Sequence, residues 1–214
     1  MKSKKAVVLL SGGLDSTTTL YWAIDQGYEC YALIFNYGQK HYKEVKIAEN
    51  IAKLLGVKYQ IINLEFPWKG SALLDKELTI PKNRNIDDNI PLTYVPGRNI
   101  IFLSIATSYA EVIKAETILI GANSIDYSGY PDCRPEFIKA MQNAIMLGTK
   151  DGKINIETPL ITLSKKDIIL LGLSLGVPYE ETWSCYIGED EPCGVCDSCI
   201  LRKKGFEEAC KSIK

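Results

Sequence analysis

The chain has 214 residues, with 25 Lys and Arg against 26 Asp and Glu, 46% hydrophobic residues and a formal net charge of −1. That composition excludes a disordered tail and a collagenous repeat. The near-neutral balance argues against direct nucleic-acid binding, which takes a basic surplus to neutralise phosphates.

A chain of this length buries roughly 70% of its unfolded surface, so a core forms without disulfide staples. The longest apolar stretch near the N-terminus, Ala6 to Leu10, is too short for a membrane span or a secretion signal. A cytoplasmic protein with no membrane partner is expected. In such a reducing compartment clustered thiols hold metal more often than they pair.

Ala6 to Leu10 reads as a strand buried on both faces, broken by Ser11-Gly12-Gly13. From Asp15 the spacing of Leu20, Ala23 and Ile24 predicts a helix that stops at Gln26-Gly27. Tyr31 to Phe35 follows as a strand, Lys43 to Leu55 as a helix ended by Gly56, and Tyr59 to Leu64 as a third strand. This alternation predicts an α/β fold with a doubly wound parallel sheet.

Between Phe66 and Arg98 periodicity is lost among prolines and glycines, as in a long functional loop or lid. Asn99 is expected to cap a helix running to about Lys114, before a strand over Thr117 to Ile120. A helix over Glu136 to Leu147, a short strand over Ile154 to Glu157 and a helix opened by the capping box Ser164 to Asp167 complete the sheet domain. After Pro178 the character changes, which sets expected units of 1–178, binding nucleotide, and 179–214, a small cysteine-rich helical tail.

The first turn, Leu10 through Thr18, sits at the carboxyl end of a parallel strand. Glycines there admit a ligand to the backbone, and Ser11, Ser16, Thr17, Thr18 and the helix N–H groups offer donors to an anion. It has neither the P-loop lysine nor the dinucleotide Gly-x-Gly-x-x-Gly spacing. Asp15 would repel phosphates unless Mg²⁺ lay between them, which marks a site for polyphosphate with Mg²⁺.

Cys185, Cys193, Cys196 and Cys199 are spaced Cys-x7-Cys-x2-Cys-x2-Cys, as a closed, structural four-sulfur Zn²⁺ site needs. An iron–sulfur cluster is the rival, although the Cys-Pro that usually follows is missing. Cys30 reads as a packing residue and Cys210 as a spectator, while Cys133, with no histidine nearby in sequence, reads as packing with a nucleophilic role as the alternative.

Ser11-Gly12-Gly13-Leu14-Asp15-Ser16 resembles the signature loop of the ATP pyrophosphatases, or PP-loop group, which implies an adenine nucleotide alpha-hydrolase-like fold and cleavage of ATP between its α- and β-phosphates. The resemblance implies ATP contacts over Leu10 to Thr18, specifically Leu10, Ser11, Gly12, Gly13, Leu14, Asp15, Ser16, Thr17 and Thr18. It implies catalytic roles for Asp15, Ser16 and Lys165, the last in a segment matching a second lysine-bearing motif of the group.

Four further stretches, Tyr37-Gly38-Gln39-x-His41-x-x-Glu44, Val95-Pro96-Gly97-Arg98-Asn99, Asp126 to Arg134 and Trp183 to Tyr186, are similar to the 7-cyano-7-deazaguanine synthase family. That resemblance spans nearly the whole chain. It implies conversion of 7-carboxy-7-deazaguanine, ammonia and ATP to the nitrile on the path to queuosine, by adenylating first the acid and then the amide. It also implies a homodimer, substrate contacts from Arg98, Asp126, Ser128, Asp132 and Arg134, with Arg98 or Arg134 holding the substrate carboxylate, and a role for His41. Asn36 departs from the family, which often has Asp there. No glutaminase region is legible, so ammonia is expected free or from a separate partner. A PP-loop tRNA thiolation enzyme and a non-catalytic nucleotide sensor are the alternative readings.

Overall fold

The computed structural model describes residues 4–39, 43–84, 89–125 and 129–213. Strands β1 (Lys5–Leu9), β2 (Glu29–Asn36), β3 (Lys58–Asn63), β4 (Thr117–Leu119) and β5 (Asn155–Glu157) form one sheet in the order β3-β2-β1-β4-β5. Every pairing is parallel, with Val7 of β1 opposite both Tyr31 of β2 and Ile118 of β4. The expected doubly wound sheet is present.

The period of two along β1 divides the core. Ala6, Val8 and Leu10 join Leu20 and Ala23 of helix α1 (Leu14–Asp25) and Val45, Ala48 and Ile51 of helix α2 (Lys43–Leu54) on one face. Val7 and Leu9 meet Phe102, Leu103 and Ala106 of helix α3 (Arg98–Ile113) on the other, where Ile138 and Ile145 anchor helix α4 (Pro135–Gly148). Phe35 of β2 stacks on Phe102 at a centroid distance of 3.9 Å. The chain order places the switch point beside β1, between β1 and β4, so a crevice opens at their carboxyl ends.

Helix α5 (Lys165–Ser174) packs against α1, and helix α6 (Asp197–Ser212) against α5, through a third cluster of Leu14, Leu160, Ile168, Ile169, Tyr179 and Ala209. Ser164 caps α5 as its capping box predicts, its hydroxyl accepting from the Asp167 N–H at 3.2 Å.

One cap differs. Gly97 in the left-handed conformation, φ +66°, occupies the N-cap of α3, and the Asn99 N–H donates to Oδ2 of Asp132 at 3.0 Å. A carboxylate 33 residues away serves the helix start that Asn99 was expected to cap itself. Between Phe66 and Arg98 the described residues form no helix or strand, yet Ala72, Leu73, Ile80 and Val95 are buried in the core. Among the described residues no helix is long and apolar enough to cross a membrane.

Candidate functional site

Between β1 and α1 the chain turns sharply through Ser11-Gly12-Gly13. Gly12 has φ +78°, and a Cβ there would lie 2.7 Å from the Ala48 nitrogen and 2.9 Å from the Glu44 carbonyl oxygen, so α2 leaves room for glycine alone. The turn is braced from within: the Ser11 N–H donates to Ser16 Oγ at 3.1 Å, the two hydroxyls lie 3.0 Å apart, and Ser16 Oγ donates to the Gly13 carbonyl at 3.2 Å. Gly121, just past β4, passes so close to α1 that a Cβ would meet the Asp15 carbonyl carbon at 3.0 Å. The N-terminus of α1 is thereby aimed into the switch-point crevice.

Lys165 opens α5 and crosses to this turn. Its Nζ donates to both Asp15 carboxylate oxygens, at 2.7 and 2.8 Å, and its side chain is only 8% exposed. A buried ammonium is tolerated because the carboxylate balances it. Ion pair and phosphate-type loop line the same cavity, of about 240 Å³. From the loop it touches Leu10, Ser11, Gly13, Leu14, Asp15 and Ser16. Gly12 shapes the turn from behind, while Thr17 and Thr18 are buried in α1, where Thr18 Oγ1 bonds the Leu14 carbonyl and the Tyr179 hydroxyl.

The cavity also takes in Tyr37, Glu44, Arg98, Tyr130 and Cys133. Arg98 Nη1 donates to the Tyr37 hydroxyl at 3.4 Å. Burial pushes the Cys133 thiol up to about 12, and Cys30, in the core, is likewise pushed up to about 12. Cys210 is exposed.

Burial also pushes Glu44 up to about 7, against the pull of Arg98 and with a further push from Cys185. The folded chain therefore keeps a proton on Glu44 that the unfolded chain releases above about pH 4.5, so this group costs stability as pH rises through 4.5–7 and the cost levels off above 7. Relative to wild type, Glu44→Gln is expected to gain about 1–3 kcal/mol between about pH 5 and 8. Denaturant unfolding of both proteins at the two pH values checks this; parallel pH dependence contradicts it.

The cysteine tail is tied to the loop. The Trp183 N–H donates to the Gly12 carbonyl at 2.9 Å, and Lys43 at the start of α2 lies 3.6 Å from the Trp183 ring centroid while donating to the carbonyls of Glu189 and Asp190. The sulfurs of Cys185, Cys193, Cys196 and Cys199 all lie within 4.8 Å of one another. Tetrahedral Zn–S bonds of about 2.3 Å require sulfurs about 3.8 Å apart, so the cluster fits a metal after small adjustment. Burial alone would raise the Cys185 thiol, but N–H donation from Cys193, Gly188 and Ile187 brings it down to about 7, suited to a thiolate ligand.

The remaining expected site residues are spread unevenly. Asp132 is buried, with Oδ2 serving α3 and Oδ1 without a hydrogen-bond partner among the described residues, while Arg134 is exposed; neither is in the cavity lining. Asn36 donates its amide to Asn63 Oδ1 at 2.8 Å. His41, Asp126 and Ser128 fall outside the described residues. Two lining residues have no local sequence signal, Asn123 just past β4 and Arg202 on α6.

The chain matches the family described as Queuosine biosynthesis protein QueC over residues 5–210. It is 55% identical over 211 residues to the 7-cyano-7-deazaguanine synthase of Thermoplasma volcanium, covering 96% of this chain and 88% of that one. It is 56% identical over 214 residues to the enzyme of the same name from Coxiella burnetii, covering 96% and 94%. Among solved structures, NMN synthetase from Francisella tularensis superposes with a TM-score of 0.54 at 17% identity, over 99% of this chain and 87% of that chain. The U34-tRNA thiolase NcsA from Methanococcus maripaludis gives 0.52 at 16%, over 99% and 67%. These two likenesses concern the fold alone. The full-length match and the high identities establish that this chain belongs to the QueC family of queuosine biosynthesis.

Proposed function

We propose that the protein is an ATP-dependent carbon–nitrogen ligase that converts 7-carboxy-7-deazaguanine and ammonia to 7-cyano-7-deazaguanine, releasing AMP and pyrophosphate at each of two adenylations. The observation that carries this reading is the Lys165–Asp15 pair, 2.7 Å apart at the mouth of a glycine turn and lining the switch-point crevice. Ser11, Gly13 and Ser16 hold the phosphates, and Lys165 offsets charge gathering on the departing pyrophosphate. A carboxylate has about four acceptor positions, of which Lys165 takes two, so Asp15 keeps room to hold the Mg²⁺ that accompanies ATP.

Arg98 is assigned to the substrate carboxylate in preference to Arg134, because it lines the cavity and Arg134 does not. Asp132, whose buried Oδ1 has no hydrogen-bond partner among the described residues, stands behind the cavity lining beside α3 and is assigned to the deazaguanine end with Asp126 and Ser128. The four cysteines would hold a structural Zn²⁺, which supplies no reactive position. Free ammonia, a homodimer, cytoplasmic location and the division at residue 178 belong to the same proposal. Thiolation is disfavoured by the family match over residues 5–210 and by relatives 55–56% identical that are named 7-cyano-7-deazaguanine synthase.

Turnover with the acid, ammonium and Mg-ATP tests the reading. Nitrile with AMP and pyrophosphate is expected; ADP with orthophosphate contradicts it. Arg98→Lys, which keeps the charge and loses the fork, is expected to raise KM for the acid by about 10–100-fold with ATP affinity unchanged. An unchanged KM would return the carboxylate contact to Arg134.

A further inference from the structure

α6 begins at the cysteine cluster. Cys196 is its N-cap and Cys199 lies in its first turn, so a metal held there fixes where the helix starts. Six residues beyond Cys196 the helix presents Arg202 to the cavity over the phosphate-type loop. Arg202 Nη1 donates to Thr182 Oγ1 at 2.8 Å and Ser184 Oγ at 3.4 Å, and Nη2 donates to the Tyr179 carbonyl at 2.6 Å. Ser184 Oγ is itself 3.9 Å from where a Gly13 Cβ would stand. Ser184 therefore stands between the guanidinium and the turn.

Lys165 and Arg202, both in the cavity lining, differ in their partners. Lys165 is matched by both oxygens of Asp15. Arg202 contacts neutral oxygens, and among the described residues no carboxylate lies within the 4.0 Å of an ion pair. Of about five guanidinium donors, three contacts leave the Nε–H and one Nη2 hydrogen unassigned. One turn on, a Cβ at Gly205 would meet Lys165 Cγ at 2.5 Å, so the same helix also presses on the stem of the other cation.

We propose that Arg202 is a catalytic residue of adenylation, binding the pyrophosphate side of ATP, and that the cysteine cluster acts on the reaction by placing α6. This rests on the adenylation reading above. In that step a carboxylate oxygen bonds to the α-phosphorus, the bond from that phosphorus to the bridging oxygen breaks, and the electron pair leaves with pyrophosphate. No proton need move. A guanidinium fork suits a phosphate that gains charge as it departs.

Calorimetry on the metal-loaded protein, with AMP and magnesium pyrophosphate as separate ligands, tests the assignment. Arg202→Met is expected to weaken pyrophosphate at least about tenfold while AMP stays within about twofold. Arg202→Lys is expected to fall between wild type and Arg202→Met, and decides alone should the methionine variant not fold. Wild-type pyrophosphate affinity in a folded variant, or equal loss of both ligands, overturns the proposal. A wild-type protein that binds neither ligand overturns the adenylation reading itself.

Discussion

Lys165→Ala is expected to slow pyrophosphate release by about 10²–10³-fold or more, the loss typical of removing one preorganised charge donor from a transition state. Its ammonium is positioned from three sides. Ser164 caps the helix it opens, α6 closes over its stem at Gly205, and Asp15 receives it at 2.7 Å. A solvated lysine in a first helical turn would have none of these and would tolerate alanine. Folding is expected to survive, because Leu160, Ile168 and Ile169 hold α5 to the core without it. Asp15 then faces the phosphates without its partner, so ATP affinity falls as well. Single-turnover pyrophosphate release and a thermal melt check this together; unchanged release with an unchanged melt contradicts it.

Cys196→Ser is expected to release the metal and unfold the tail. Structural four-thiolate sites contribute on the order of 10 kcal/mol to folding, a large share of the roughly 5–15 kcal/mol that holds a whole domain. Cys196 is fully buried, with Trp183, Cys185 and Cys199 in the same cluster, so losing the site opens the wall of the cavity as well as the knuckle. A chelator should reproduce the variant. Loss of the metal with the wild-type melting temperature would show that packing alone holds the tail, and retention of both would contradict Cys196 as a ligand.

Much of this was legible because it is local. The apolar run Ala6 to Leu10 and the glycines after it place β1 and its turn within one residue of the observed Lys5–Leu9, since a doubly buried strand needs continuous hydrophobes. The cysteine spacing likewise brought four sulfurs together, because each Cys-x2-Cys step is a single turn of chain. What escaped is tertiary. The cap of α3 comes from Asp132, which no window around Asn99 contains. The choice between Arg98 and Arg134 turns on which of them the fold brings to the crevice, and both arginines stand in equally suggestive stretches. Arg202 carries no motif; only the packing of α6 on α5 brings it to the loop.

The most direct measurement follows oxygen. With both carboxylate oxygens of 7-carboxy-7-deazaguanine labelled as ¹⁸O, attack on the α-phosphorus by the acid and then by the amide transfers each label to AMP. Mass spectrometry of the AMP from complete turnover should therefore recover both oxygens, one in each of two nucleotides per nitrile formed. Label appearing in water or in orthophosphate, with unlabelled AMP, would contradict adenylation at this site.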